Sequence, residues 1–204
     1  MKKKWSIVAA LCFAGTLSFS SIQAEAAAPK VTYKTYKDPM VRYAVISGSK
    51  YKAVNVKMYK EAKQTYAAHK KLQKESKDYS AGQSCEAVYR TTKKVSILCH
   101  YHEYSGGAHP NHGFAAYSTY NGKLITLKKA FKSDKDYKAG KKYAKNYILS
   151  RPNKYRLADS STTIAGHTYV WTEKGIDVVF SPYEVGPYAD GMLTAPVPKK
   201  YLKY

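Results

Sequence analysis

Apolar and polar residues alternate over Met40–Ile46, where Val41, Tyr43 and Val45 fall on one side, and Gly48 ends the run. That is the pattern of a half-buried strand. Ahead of it, the Lys/Tyr-rich stretch Lys30–Lys37 reads as a strand or an extended arm. From about Tyr51 to Ser76 the period becomes helical: Val54, Met58, Ala62, Tyr66, His69 and Leu72 share one face, and lysines take the others. So thin an apolar face suits a helix covering a sheet better than one lying on a membrane. Strand patterns return after Gly82. Ala87–Thr91 and Val95–Tyr101 flank a polar turn, and Gly113–Thr119 and Lys123–Thr126 flank Asn121-Gly122, a strong hairpin signal. Ser133 with Asp136 resembles a capping box. The helix it opens carries Tyr137, Gly140, Ala144, Tyr147 and Ile148 on one face, with Pro152 beyond its end. His167–Thr172 and Ile176–Phe180 read as a third hairpin, and Met192–Val197 as a last strand. Grouped strands with inserted helices predict an α+β fold, a mainly antiparallel sheet covered by two amphipathic helices.

The N-terminus has the three parts of an export signal: basic Lys2-Lys3-Lys4, an apolar run from Trp5 to about Ser18, and the small-x-small Ala24-Glu25-Ala26. This divides the chain into a signal peptide (1–26), a small strand–helix module (27–78) and a C-terminal α+β binding module (79–204). No other segment approaches membrane-spanning length. The expected product is secreted and associated with the cell wall. Charge sharpens that picture. The chain has 35 Lys and Arg against 14 Asp and Glu, a net +21, or about +19 without Lys2, Lys3, Lys4 and Glu25. So basic a protein habitually meets nucleic acid, but outside a cell the available polyanions are teichoic acids, anionic headgroups and acidic polysaccharides. Nucleic acid is therefore not an expected partner. Attraction to wall polyanions competes with the plainer reading of a solubilising lysine surface.

Cys12 leaves with the signal, and Cys85 and Cys99 remain as an even pair in an oxidising compartment. With residue 92 at the centre of the hairpin turn they lie opposite each other. A structural cross-strand disulfide is then feasible, with a stabilisation of roughly 3 kcal/mol.

Two loops carry the candidate chemistry. Tyr104-Ser105-Gly106-Gly107-Ala108-His109-Pro110 follows a strand, and its paired glycines permit a sharp turn through positive φ. Ser181-Pro182-Tyr183-Glu184-Val185-Gly186-Pro187-Tyr188-Ala189-Asp190-Gly191 repeats that chemistry near the C-terminus. The sequence holds 21 Tyr, which stack on sugars and proteins alike while keeping a polar edge. Strand propensity explains many of them, but Tyr104, Tyr183 and Tyr188 sit in Gly/Pro loops. Catalytic readings are weaker. His100, His102, Glu103, His109 and His112 lie close in sequence but show no established zinc spacing. Glu184 and Asp190 are the candidate carboxylate pair of a glycosidase, and Ser105 with His109 lacks a nucleophile elbow. The expectation is a non-enzymatic protein without cofactor or metal.

The Tyr-Ser-Gly-Gly-Ala-His loop, the helix entered through Lys128–Phe131 and Ser133–Tyr147, and the motif at Ser181–Gly191 together resemble a known family. It is the extracellular module shared by RsiV-type anti-sigma factors, where it is a lysozyme receptor, and by PdaC-type peptidoglycan deacetylases, where it precedes the catalytic domain. Tyr43–Lys63, with its Ser47-Gly48 turn and Asn55, resembles the smaller companion module. The resemblance implies binding rather than deacetylation, because the catalytic Asp-Asp metal motif belongs to a separate domain. It points to Tyr104, Ser105, Gly106, Gly107, His109, Tyr183, Glu184, Tyr188 and Asp190 as the binding surface. The implied partners are peptidoglycan or teichoic acid of a Gram-positive envelope, or a lysozyme-like protein that is bound or inhibited. A wall-modifying hydrolase ranks last.

Overall fold

The computed structural model describes residues 27–204; residues 1–26, where the sequence predicts a signal peptide and which include Cys12, lie outside them. β1 (Val31–Tyr36) and β2 (Asp38–Ile46) form an antiparallel hairpin, so the Lys/Tyr stretch is a strand. α1 (Lys52–Glu75) follows, burying Val54, Met58, Ala62, His69 and Leu72, with Tyr66 half-buried. The helix carries the chain back by about 36 Å at 1.5 Å per residue. β3 (Ser80–Arg90) therefore runs parallel to β2, in register at Val41↔Gln83. Among the described residues that crossover gives the one parallel pairing in an otherwise antiparallel sheet.

β4 (Lys94–Tyr104), β5 (Asn111–Tyr120) and β6 (Lys123–Leu124) complete six strands lying in chain order. β3 and β4 are longer than alternation predicts, because Gln83, Ser84, His100 and His102 interrupt the apolar pattern. β6 is shorter than predicted, because Leu127 already begins the helical turn α2 (Leu127–Ala130). Cys85 pairs with Cys99 in the β3–β4 register and the two are bonded. α1 lies on this face of the sheet, with Ile46, Val54, Met58, Ile97, Cys99 and Tyr117 in one core. Asn55 ties it down further. Its side-chain carbonyl accepts from the Ile46 N–H at 2.9 Å and its amide donates to the Ile46 carbonyl at 2.8 Å.

The remaining elements form a second layer. Ser133 caps α3 (Asp134–Leu149), its hydroxyl accepting from the Asp136 N–H at 3.1 Å. β7 (Tyr169–Thr172), β8 (Gly175–Phe180) and β9 (Leu193–Pro198) make a separate three-stranded antiparallel sheet. α3 covers it closely because Gly140 has no side chain; a Cβ there would sit 2.3 Å from the Phe131 ring. Ile148, Trp171, Ile176, Phe180 and Val197 fill this second core. A buried relay joins the two sheets. The Trp171 N–H donates to Ser96 Oγ (2.8 Å), Ser96 Oγ meets Ser118 Oγ (2.7 Å), and Ser118 Oγ donates to the Tyr169 carbonyl (2.6 Å). The edge strand β7 thus satisfies its backbone on serines of β4 and β5, as buried polar groups must. Among the described residues no helix is long and apolar enough to cross a membrane.

Candidate functional site

The two motif loops, 74 residues apart at His109 and Tyr183, meet. The His109 ring stacks on Tyr188 with centroids 3.8 Å apart, and Tyr183 Oη lies 3.1 Å from His109 Nε2. Tyr183 and Tyr188 face each other at 5.9 Å. Local sequence explains how the C-terminal loop presents them. Val185 is buried and its carbonyl accepts from the Leu157 N–H, which anchors the loop. Tyr183 is lifted outward, 57% exposed, at φ 70°. Bulky residues seldom adopt that left-handed conformation, and strain of this kind gathers at binding sites. Ser181 Oγ accepts from the Phe114 N–H at 3.2 Å, which ties the loop to β5.

The other motif residues have different surroundings. Tyr104 Oη donates to the Gly107 carbonyl at 3.2 Å, and the ring meets Tyr79 edge-on at 6.3 Å, so it braces its own loop. Gly106 and Gly107 have φ of 92° and 111°; a Cβ on Gly106 would lie 3.0 Å from Tyr79 Oη. Ser105 is exposed at the tip. Glu184 accepts from the Ser181 N–H at 2.5 Å and lies 3.4 Å from His167 Nε2. Asp190 is paired with Arg156 at 2.7 Å. Both carboxylates hold loop geometry in place. Sequence reasoning did not find Arg156, His167, Ser181 or Phe114 as supports. Ser181 alone carried a signal, as the first residue of the motif.

The histidines extend the cluster inward. His112 faces Tyr188 at 5.5 Å and lies against His100, with ring centroids 4.7 Å apart and Nδ1 2.5 Å from His100 Nε2. His100 in turn stacks on Phe114 at 4.8 Å. These contacts run ring to ring instead of converging on a point. Among the described residues, no three His, Cys, Asp or Glu side chains are grouped to hold a metal ion. The row offers aromatic faces with donors and acceptors at their edges, which suits a sugar ring or a protein side chain.

Burial lowers the pKa of His100, and the neighbouring charges of His112 and His102 lower it further. His102 is lowered by burial, then by His112 and His69. Both groups bind protons less readily folded than unfolded. Their contribution to stability is therefore complete above the unfolded value near 6.5 and is lost as pH falls towards the folded values. Melting temperature is expected to drop between pH 7.5 and 5.5, with a slope of at most about 1.4 kcal/mol per pH unit for each histidine. His100→Gln should flatten that dependence; an unchanged slope in the variant would show that the pair does not titrate as argued.

Residues 18–112 match the family model described as "Deacetylase PdaC", and residues 126–200 match "Protein of unknown function (DUF3298)". The two matches lie one after the other along the chain. His109 comes from the PdaC match and Tyr183 and Tyr188 from the DUF3298 match, so the aromatic cluster forms where the two meet. Solved structures that share the fold include two DUF3298 proteins. A DUF3298 family protein from Pseudomonas aeruginosa aligns at a TM-score of 0.58 and 12% identity, covering 87% of this chain and 91% of its own. A DUF3298 family member from Bacteroides fragilis aligns at 0.59 and 13%, covering 89% and 96%. At these identities the likeness shows the fold alone. No curated protein matches this chain.

Proposed function

We propose that this PdaC–DUF3298 protein is a secreted, non-enzymatic binding protein of a Gram-positive cell envelope. Its paired loops recognise wall glycan, and its basic surface is drawn to anionic wall polymer. The observation that carries this reading is the stack of His109 on Tyr188 at 3.8 Å beside an exposed, left-handed Tyr183. The PdaC match suggests an extracellular, cell-wall setting. Binding is favoured over hydrolysis because Glu184 and Asp190 are engaged by Ser181, His167 and Arg156. A glycosidase needs its two carboxyls free to face one bond. A second reading, capture of a wall-active protein such as lysozyme, is favoured by the protrusion of Tyr183, since exposed tyrosines anchor protein interfaces.

The test is co-sedimentation of the mature protein with peptidoglycan, with and without its teichoic acid, across a salt series. Tyr183→Ala/Tyr188→Ala should weaken salt-resistant binding by roughly 30-fold, equivalent to about 2 kcal/mol. Tyr104→Ala, which loosens the His109 loop without removing a stacking ring, should weaken it less than the double variant does. Calorimetry against lysozyme separates the second reading from the first. If the double variant binds both wall and lysozyme as the parent does, the loops are not a recognition site.

A further inference from the structure

α3 carries Lys138, Lys141, Lys142 and Lys145, which with Ser161, Thr162 and Thr163 line a groove of about 320 Å³ between the helix and the 159–163 loop. The spacing i, i+3, i+4, i+7 places all four ammonium groups along one side of the helix. Lys138–Lys142 and Lys141–Lys145 are like-charged pairs at i, i+4, each unfavourable by about 0.2–0.5 kcal/mol. Of the nearby acids, two are engaged away from the groove, and Asp159 sits on its loop side, where its charge acts on Lys145 alone of the four lysines. Asp134, four residues before Lys138, pairs with Lys128 at 3.0 Å. Asp136 holds the Ser133 cap, and Asp159 accepts from the Ser161 N–H and hydroxyl. Lys145 donates to the Ser160 carbonyl and so ties the helix to the loop. Thr162 Oγ1 and Thr163 Oγ1 accept from the N–H groups of Asp159 and Ala165, which leaves each hydroxyl proton to donate. The groove is thus lined by ammonium and hydroxyl donors.

We propose that this groove is a binding site for a linear phosphodiester polymer. The inference rests on the envelope reading for where such a polymer is met, but not on the loop site. A donor-lined, cationic groove selects an anion rich in acceptor oxygens. Lys138 to Lys145 span about 10 Å of helix axis, which exceeds one phosphate and accommodates successive ones. A lipid surface fits less well, because the apolar side of α3, Gly140, Ala144 and Ile148, is buried and has nothing to insert.

The experiment measures binding of the mature protein to poly(glycerol phosphate), to inorganic phosphate and to phosphatidylglycerol vesicles over a salt series. Lys138→Gln/Lys141→Gln/Lys142→Gln/Lys145→Gln should weaken binding to poly(glycerol phosphate) by about 30-fold and make the log–log salt slope shallower by about 3. Its melting temperature should change little, since relieved repulsion offsets the lost Lys145–Ser160 contact. A charge-matched control on α1, Lys60→Gln/Lys63→Gln/Lys71→Gln/Lys74→Gln, should lose about threefold at most, and Tyr183→Ala/Tyr188→Ala should lose nothing. Equal losses in the two lysine variants would replace the groove with diffuse charge. Inorganic phosphate competing as well as the polymer, or vesicles binding more tightly through the same lysines, would overturn the polymer assignment. Loss in the tyrosine variant with the lysines intact would assign the polymer to the loops.

Discussion

Replacing Trp171 by alanine is expected to destabilise the protein by about 3–5 kcal/mol. Trp171 is 1% exposed at the junction of the two sheets. Its indole N–H donates to the Thr119 carbonyl at 3.0 Å, and Tyr169 packs edge-on at 5.1 Å. Lys94 Nζ lies 4.6 Å from the ring centroid, and burial followed by the Lys199 charge lowers the pKa of that lysine. Truncation removes the packing, opens a cavity and deletes the indole hydrogen bond to Thr119 at once. For a chain of this size the shift in melting temperature is about 10 °C. Guanidinium unfolding of Trp171→Ala beside Trp171→Phe separates the terms. The phenylalanine variant keeps most of the ring packing, so its smaller loss isolates the Thr119 hydrogen bond and the residual volume. A loss below about 1 kcal/mol in the alanine variant would mean that the two layers are not held together here.

Removing the disulfide is the second large effect. Cys85→Ala/Cys99→Ala should lower stability by about 2–5 kcal/mol, read as a lower guanidinium midpoint. The bond closes a 14-residue separation across paired positions of β3 and β4, with Cys99 1% exposed in the core under α1. Much of the loss reflects a less restricted unfolded chain. Reductant should therefore destabilise the parent and leave the double variant unchanged. The Ser/Ser variant should be weaker than Ala/Ala, because it buries a hydroxyl beside Ile97 and Met58. A reductant-insensitive parent would show that the bond adds no stability.

The candidate site was legible in its parts but not in its assembly. Both Gly/Pro loops stand out because tyrosines there escape the strand explanation. Tyr104 and Tyr188 are alike in sequence, yet one braces its own loop and the other stacks on His109. Only the docking of the second sheet onto β4 and β5 separates them. The histidines invited a metal reading because sequence gives proximity without direction. The β4–β5 register sets His100 opposite Phe114 and His102 opposite His112, so the rings lie side by side. Arg156 carries no motif, and its partnership with Asp190 spans 34 residues.

By itself, the sequence determined the period of α1, the Ser133 cap, the Asn121-Gly122 hairpin and the Cys85–Cys99 pairing. Each depends on residues near enough in the chain for backbone geometry to dictate their relation. Three features were decided only by tertiary structure. They are the parallel β2–β3 pairing, the division of the strands into two sheets, and the meeting of the two loops. Each rests on long-range burial, and the Ser96–Ser118 relay shows why it stayed hidden. Two serines look like surface residues in a strand until another layer covers them, and what they bond to is set by the strand that arrives.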